Sequence, residues 1–163
     1  MEQAFTGYSG QAYSPAGDKG RFVLPPLFRK AVKESSGSRI LCINKHDRWT
    51  CLSGFGLSRK EELERQLDRE EEMAFKFGRE FDRETRGFQL NAFEEIPFDD
   101  SGRFVMPAYL RELANVEDGL FFLGGGRFFT MWTPSELYKM GDEWAAAKAA
   151  CKALVAEAEA KRK

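Results

Sequence analysis

One histidine and three cysteines are all that 163 residues offer by way of soft metal ligands and side chains titrating near neutrality. Cys42, Cys51 and Cys151 are odd in number and lack CxxC spacing, which excludes a disulfide framework and a zinc site and predicts a reducing, cytoplasmic setting. No apolar run approaches the roughly 20 residues of a membrane helix. The opening MEQAFTGYSGQAYSP lacks the basic and apolar regions of a signal peptide, which again predicts a cytoplasmic chain. Charge of one sign is also missing: 25 basic residues against 26 acidic ones give a net charge of −1. That balance provides no bulk attraction to phosphate polymers, so a nucleic-acid site has to be local. Nor is there a nucleophile elbow, a metal cluster or an isolated carboxylate pair in an apolar setting, so the expectation is no enzyme, no cofactor and no metal. His46 sits beside Asp47 and is read as an exposed loop histidine, not half of an acid–base dyad. Gly124-Gly125-Gly126-Arg127 lacks the Lys-Ser/Thr of a phosphate loop and is read as a hairpin turn.

What the chain does have is 42% apolar and 13% aromatic residues, 15 of them Phe, enough to build a core. It also contains a repeat. Residues 18–29 read DKGRFVLPPLFR and residues 100–111 read DSGRFVMPAYLR, with seven identities in twelve positions at an offset of 82. The match continues: Ile40-Leu41-Cys42-Ile43 aligns with Leu120-Phe121-Phe122-Leu123, and Trp49-Thr50-Cys51-Leu52 with Phe129-Thr130-Met131-Trp132. In each copy a glycine suited to positive φ, Gly20 or Gly102, precedes three β-formers, and Pro25 or Pro107 then opens a short helix. Two apolar runs around a polar or glycine-rich turn follow as a hairpin. Each unit therefore reads β, short α, β, β, and two units so small are expected to share a core.

The expected organisation is a first unit over 5–57, an amphipathic linking helix region over 58–87, a second unit over 88–133, and a C-terminal helix and tail over 134–163. Leu63, Leu67, Ala74, Phe77 and Phe81 share one face of the linker, and Ser58-Arg59-Lys60-Glu61 reads as its capping box. Phe75, Phe77 and Phe81 are assigned to core or subunit packing. Thr133-Pro134-Ser135-Glu136 reads as the same device, opening a helix through Trp144, Ala147, Cys151 and Leu154. The terminal Lys161-Arg162-Lys163 is a frayed end with a possible phosphate contact.

Local charge is less even than the total. Residues 17–48 carry eight basic and three acidic side chains, net +5, whereas residues 88–141 carry four and eight, net −4. Lys19 and Arg21 lie on a glycine turn, where side chains and amides can both approach a phosphate. One such tip neutralises few phosphates and binds in the non-specific range of roughly 10⁻⁴ to 10⁻⁶ M. DNA binding of useful strength therefore calls for an oligomer presenting several tips.

The doubled turns GDKGR (17–21) and DDSGR (99–103), each with proline four and arginine eight residues past the Arg, together with Phe5, Gly7 and the Trp132-Thr133-Pro134 exit, resemble the MraZ family of bacterial regulators built of two AbrB-like units. The resemblance covers nearly the whole chain. It implies an α+β fold of tandem swapped-hairpin units forming a double-split β-barrel, ring-shaped homo-oligomers, and a nucleoid-associated regulator, most often a repressor. It also implies binding to direct repeats in double-stranded promoter DNA of the division and cell-wall gene cluster. The family's contact motif is an acid, three residues, then arginine. Asp99 and Arg103 fit it; in the first unit that position is Gly17, with Asp18 one residue further on. The DNA-binding candidates are thus Lys19, Gly20, Arg21 and Arg103, with Asp99 and Asp18 as arginine-orienting acids. Arg29 and Arg111, one helical turn past the prolines, are read as structural, bonded to a neighbouring acid or carbonyl. Two other readings stay open: a structural or protein-binding oligomer of the same fold without DNA reading, and an AbrB-like antitoxin with a toxin partner.

Overall fold

The computed structural model describes residues 5–161. Glycine and proline divide the chain into short elements. In the first half β1 (Gln11–Pro15) and β2 (Arg21–Val23) lead into α1 (Pro26–Ser36), β3 (Ile40–Lys45) and β4 (Leu52–Phe55). Two helices, α2 (Lys60–Lys76) and α3 (Arg83–Asn91), follow. The second half repeats the order with β5 (Glu94–Pro97), β6 (Arg103–Val105), α4 (Ala108–Leu113), β7 (Gly119–Gly124) and β8 (Phe129–Trp132), before α5 (Pro134–Leu137) and α6 (Ala145–Lys161). The leading strands β1 and β5 have no counterpart in the sequence reading, because QAYSP and EEIP carry too little β-former pattern to stand out.

The strands form an antiparallel six-stranded sheet ordered β1-β7-β8-β4-β3-β5 and a separate two-stranded sheet of β2 and β6. The halves are interleaved: β1 pairs with β7 of the second hairpin, and β5 pairs with β3 of the first. The elements are those of tandem AbrB-like units, but the double-split barrel expected from the resemblance is not closed. Closure needs β1 and β5 to pair, and each is an edge with one neighbour. Pro15 and Pro97 end these strands without an amide hydrogen to donate, and Glu94 and Glu95 leave β5 exposed and charged.

Both faces of the large sheet are covered instead. Phe28, Leu41, Ile43, Leu52, Phe122, Phe129 and Met131 belong to one cluster, drawn from both halves and joined by Phe22, Phe104 and Leu110. On the other face Cys51, Phe121, Trp132, Leu137 and Cys151 pack with Trp49, Trp144 and Leu154. Adjacent residues such as Phe121 and Phe122 therefore enter different cores, which is why this strand reads as an unbroken apolar run. Each such side chain, fully buried, contributes roughly 1.5–3 kcal/mol. The three indoles pack together, with Trp144 at 4.9 Å from Trp49 and 5.3 Å from Trp132. Cys42, Cys51 and Cys151 are buried free thiols, and burial pushes Cys42 and Cys51 up to about 12.

Three local expectations are corrected. The linker is two antiparallel helices, since Gly78 adopts φ +65° after α2 and Asp82 caps α3 by accepting the Thr85 amide at 3.1 Å. Leu63, Leu67 and Ala74 are buried, but Phe75 and Phe77 face solvent. The segment after Thr133 is likewise broken: α5 stops at Leu137, an extended Gly141 follows, and α6 starts only at Ala145. Neither supposed capping box forms. The Ser58 hydroxyl is bonded to Ser35 at 2.5 Å and the Thr133 hydroxyl accepts the Glu117 amide at 3.3 Å, so tertiary partners have taken both oxygens. Of the terminal basic cluster, Arg162 and Lys163 lie outside the described residues.

Candidate nucleic-acid interface

The two glycine-arginine turns, 82 residues apart in sequence, end on the same ribbon. β2 and β6 pair antiparallel with Arg21 opposite Val105, Phe22 opposite Phe104 and Val23 opposite Arg103. Alternation sends the two Phe rings inward, 6.1 Å apart, and leaves Arg21, Val23, Arg103 and Val105 on the exposed face. The arginines sit at opposite ends of this face, related by the repeat.

Each turn is closed by a backbone bond to its arginine's carbonyl, from Gly17 N–H at 2.8 Å and from Asp99 N–H at 3.1 Å. Gly102 takes φ +84° and Gly20 φ +73°, with Lys19 also left-handed at φ +56°. Lys19 and Arg21 are exposed, whereas Gly20 is buried and its carbonyl accepts the Met106 amide at 3.0 Å. In the second turn Asp99 organises the arginine. One carboxylate oxygen accepts the Ser101 and Arg103 amides at 3.0 and 2.9 Å, and the other accepts Arg103 Nε at 2.7 Å. These bonds hold the Asp99 carboxyl below the usual aspartate range, so the clasp is intact at neutral pH and is lost only as pH falls through that lowered value. In the first turn Gly17 stands where Asp99 does, and among the described residues no hydrogen bond or ion pair joins Asp18 to Arg21. Asp100, the repeat partner of Asp18, is held by Arg39.

The halves brace each other's turns. Leu24 N–H donates to Gly102 O at 2.8 Å, the counterpart of the Met106–Gly20 bond. Arg29 lies against Gly102 and donates from Nε and Nη2 to Leu24 O at 3.2 and 3.1 Å, the carbonyl partner expected for it. Arg111 lies against Gly20, but its buried Nε has no hydrogen-bond partner, so the expected pairing does not extend to that atom. That these arginines support the opposite unit's turn is invisible in the sequence; their equal spacing within the repeat was the one signal pointing to a shared role.

The remaining candidates are not brought together. His46 is half-buried, not exposed: its ring stacks on Trp49 at 4.7 Å, and Nδ1 accepts the Arg48 and Trp49 amides at 3.1 and 3.3 Å. Burial pulls its pKa down, and Asp47 turns away to Arg86 at 2.9 Å. The glycine run links β7 to β8 as a hairpin turn, with Gly126 at φ +92°. Among the described residues no helix is long and apolar enough to cross a membrane, and no cluster of His, Cys, Asp and Glu is arranged to hold a metal.

No family model matches the chain. Curated proteins do. The transcriptional regulator MraZ of Rhodospirillum rubrum is 33% identical over 121 residues, covering 73% of this chain and 74% of its own. That of Roseiflexus sp. strain RS-1 is 32% identical over 117 residues, 72% of this chain and 74% of its own. MraZ of Parvibaculum lavamentivorans is 31% identical over 127 residues, with 78% and 76% covered. With similarity of this extent, covering about three quarters of this chain and of each relative, the chain belongs to the MraZ family of transcriptional regulators and is not an enzyme.

Proposed function

We propose that this regulator acts by laying the β2–β6 ribbon into the major groove of promoter DNA, with Arg21 and Arg103 reading bases and Lys19 on phosphate. The observation that carries the reading is one exposed ribbon with a guanidinium at each end, one of them already oriented by Asp99. A major groove about 12 Å wide admits a two-stranded ribbon, and an oriented arginine fork can bond guanine O6 and N7 together. Gly20 and Gly102 shape the turns, and Asp99 orients; Asp18 is left to the turn's surface.

The ribbon carries few charges, so the working form is a ring-shaped homo-oligomer whose ribbons engage successive direct repeats. Family membership suggests the promoter of the division and cell-wall gene cluster as target, repression as outcome, and the cytoplasmic nucleoid as location. The test is binding to the gene's own upstream duplex across a salt series. Affinity is expected to fall steeply and linearly on a log–log plot, with a slope growing with the number of ribbons engaged. A flat response, or equal affinity for unrelated duplex, removes the reading and favours the protein-binding oligomer of the same fold.

The missing acid gives a second handle. Gly17 has an extended backbone, φ −93° and ψ −168°, open to any residue, and an added Cβ would meet Arg21 O at 3.3 Å, a contact relieved by a small shift. Gly17→Asp is expected to recreate the second turn's clasp around Arg21. The ratio of specific to non-specific DNA affinity should rise by about two- to tenfold, read by fluorescence anisotropy on both duplexes.

A further inference from the structure

A groove of about 660 Å³ opens between α2, the segment following it and the β7–β8 turn, and none of its lining residues belongs to the ribbon or its turns. Four arginines from separate stretches of chain line it: Arg59, Arg69, Arg79 and Arg127. Arg59 is the buried one, 9% exposed at the side chain, its guanidinium 5.2 Å from the Phe128 ring centre and donating to Gln66 at 2.9 Å. Its nearest carboxylate, Glu62, is 3.4 Å away and about half exposed. The side chains of Arg69, Arg79 and Arg127 make no ion pair or hydrogen bond among the described residues; that of Arg79 only lies over Phe77 at 5.6 Å. By contrast Arg83 and Arg86, on the neighbouring helix, are each held by two or more carboxylates. Of the two acids in the groove wall, Glu70 is taken by Arg86 at 2.7 Å and Gln66 at 2.9 Å, which leaves Glu80. The burial of Arg59 and, to a lesser extent, the proximity of Arg127 work against the Arg59 charge, and its pKa is lowered accordingly. Among the described residues the groove thus sets Arg69, Arg79 and Arg127, whose side chains have no ion-pair partner, against Glu80 alone, and its wall carries a surplus of positive charge.

We propose that this groove binds a mononucleotide carrying two or more phosphates, with the base against Phe81 and Phe128 and the phosphates among Arg69, Arg79 and Arg127. Guanidinium forks match phosphate oxygens two at a time and give up little hydration in doing so. Aromatic faces accept any heterocyclic base by stacking. The volume falls within the roughly 300–1,000 Å³ of small-ligand sites. A longer strand is disfavoured, because α2 exposes Glu61 and Glu72, which no basic side chain among the described residues neutralises, and these repel a continuing phosphate chain.

The experiment titrates the full-length protein with the fluorescent methylanthraniloyl derivative of GDP and competes it with GDP, guanosine or inorganic pyrophosphate. Saturable binding is expected, with GDP competing at least about tenfold better than either half, because both the aromatic and the cationic parts are engaged. Arg69→Ala combined with Arg127→Ala should weaken binding by about tenfold per arginine, while Glu80→Gln tightens it. Both arginines are exposed, so the unfolding midpoint and elution volume should not move. No saturable binding at millimolar probe, or pyrophosphate competing as well as GDP, overturns the proposal. A change of oligomer size in the double variant also overturns it and assigns the groove to a neighbouring subunit. None of these readouts involves DNA, so the result stands or falls apart from the ribbon's role.

Discussion

Arg21→Ala combined with Arg103→Ala should reduce affinity for the upstream repeats by about 100-fold or more, with no loss of folded protein. Each good bidentate base contact is worth about 1–3 kcal/mol, about ten- to a hundredfold, and the two guanidinium groups lie too far from shared partners to mask each other. An oligomer amplifies the effect, since every ribbon it places on DNA has lost both contacts. Both side chains are exposed, and among the described residues the one side-chain bond either makes is the Asp99 clasp on Arg103. The urea midpoint should therefore stay within the small range of surface substitutions. The single variants should differ in degree. Arg103 is aimed by Asp99, so Arg103→Ala should relax discrimination between the repeat and unrelated DNA the more strongly. Arg21 has no acid to aim it, so Arg21→Ala should relax that discrimination by a smaller factor. Unchanged binding of the double variant in anisotropy titrations would remove the ribbon from the interface.

Gly102→Ala is expected to destabilise the fold by about 3–4 kcal/mol at fixed protomer concentration. Two costs combine. A left-handed φ of +84° disfavours any Cβ, by about 1–2 kcal/mol. The added carbon would also stand 2.5 Å from Leu24 O and 2.5 Å from Arg29 Nε. One of these is main chain, so relief requires breaking the Leu24–Gly102 backbone bond of 2.8 Å and lifting the second turn off the first half. Gly126→Ala is the control, because its φ of +92° is as unfavourable but nothing lies within 4 Å of its Cβ. That variant should lose only the conformational share. Equal midpoints for the two in urea denaturation would show that crowding at the brace contributes nothing.

The repeat made much of this legible. Glycine before β-formers, proline after them and two apolar runs around a turn are local signals, and Gly20, Gly102, Pro25 and Pro107 each sit where backbone conformation alone puts them. The arginine turns could be picked out for the same reason, since a doubled motif is a statement about sequence and nothing else. Local signals failed where a tertiary partner competed: Ser58 and Thr133 looked like helix caps until Ser35 and Glu117 claimed their oxygens. His46 looked exposed until Trp49 stacked on it, and one linking helix became two once Arg83 and Leu90 found α2 to pack against.

By itself, then, the sequence determined the order of elements within each unit, the conformation of the turns and the identity of the side chains they carry, because these depend on steric and hydrogen-bonding preferances spanning a few residues. Only the tertiary structure decided that the turns meet on one ribbon, that Arg29 and Arg111 brace the opposite unit, and that the sheet remains open with α6 packed against its second face. Those outcomes depend on which strand edges find partners and which apolar faces find cover, and such choices are made between residues far apart in the chain.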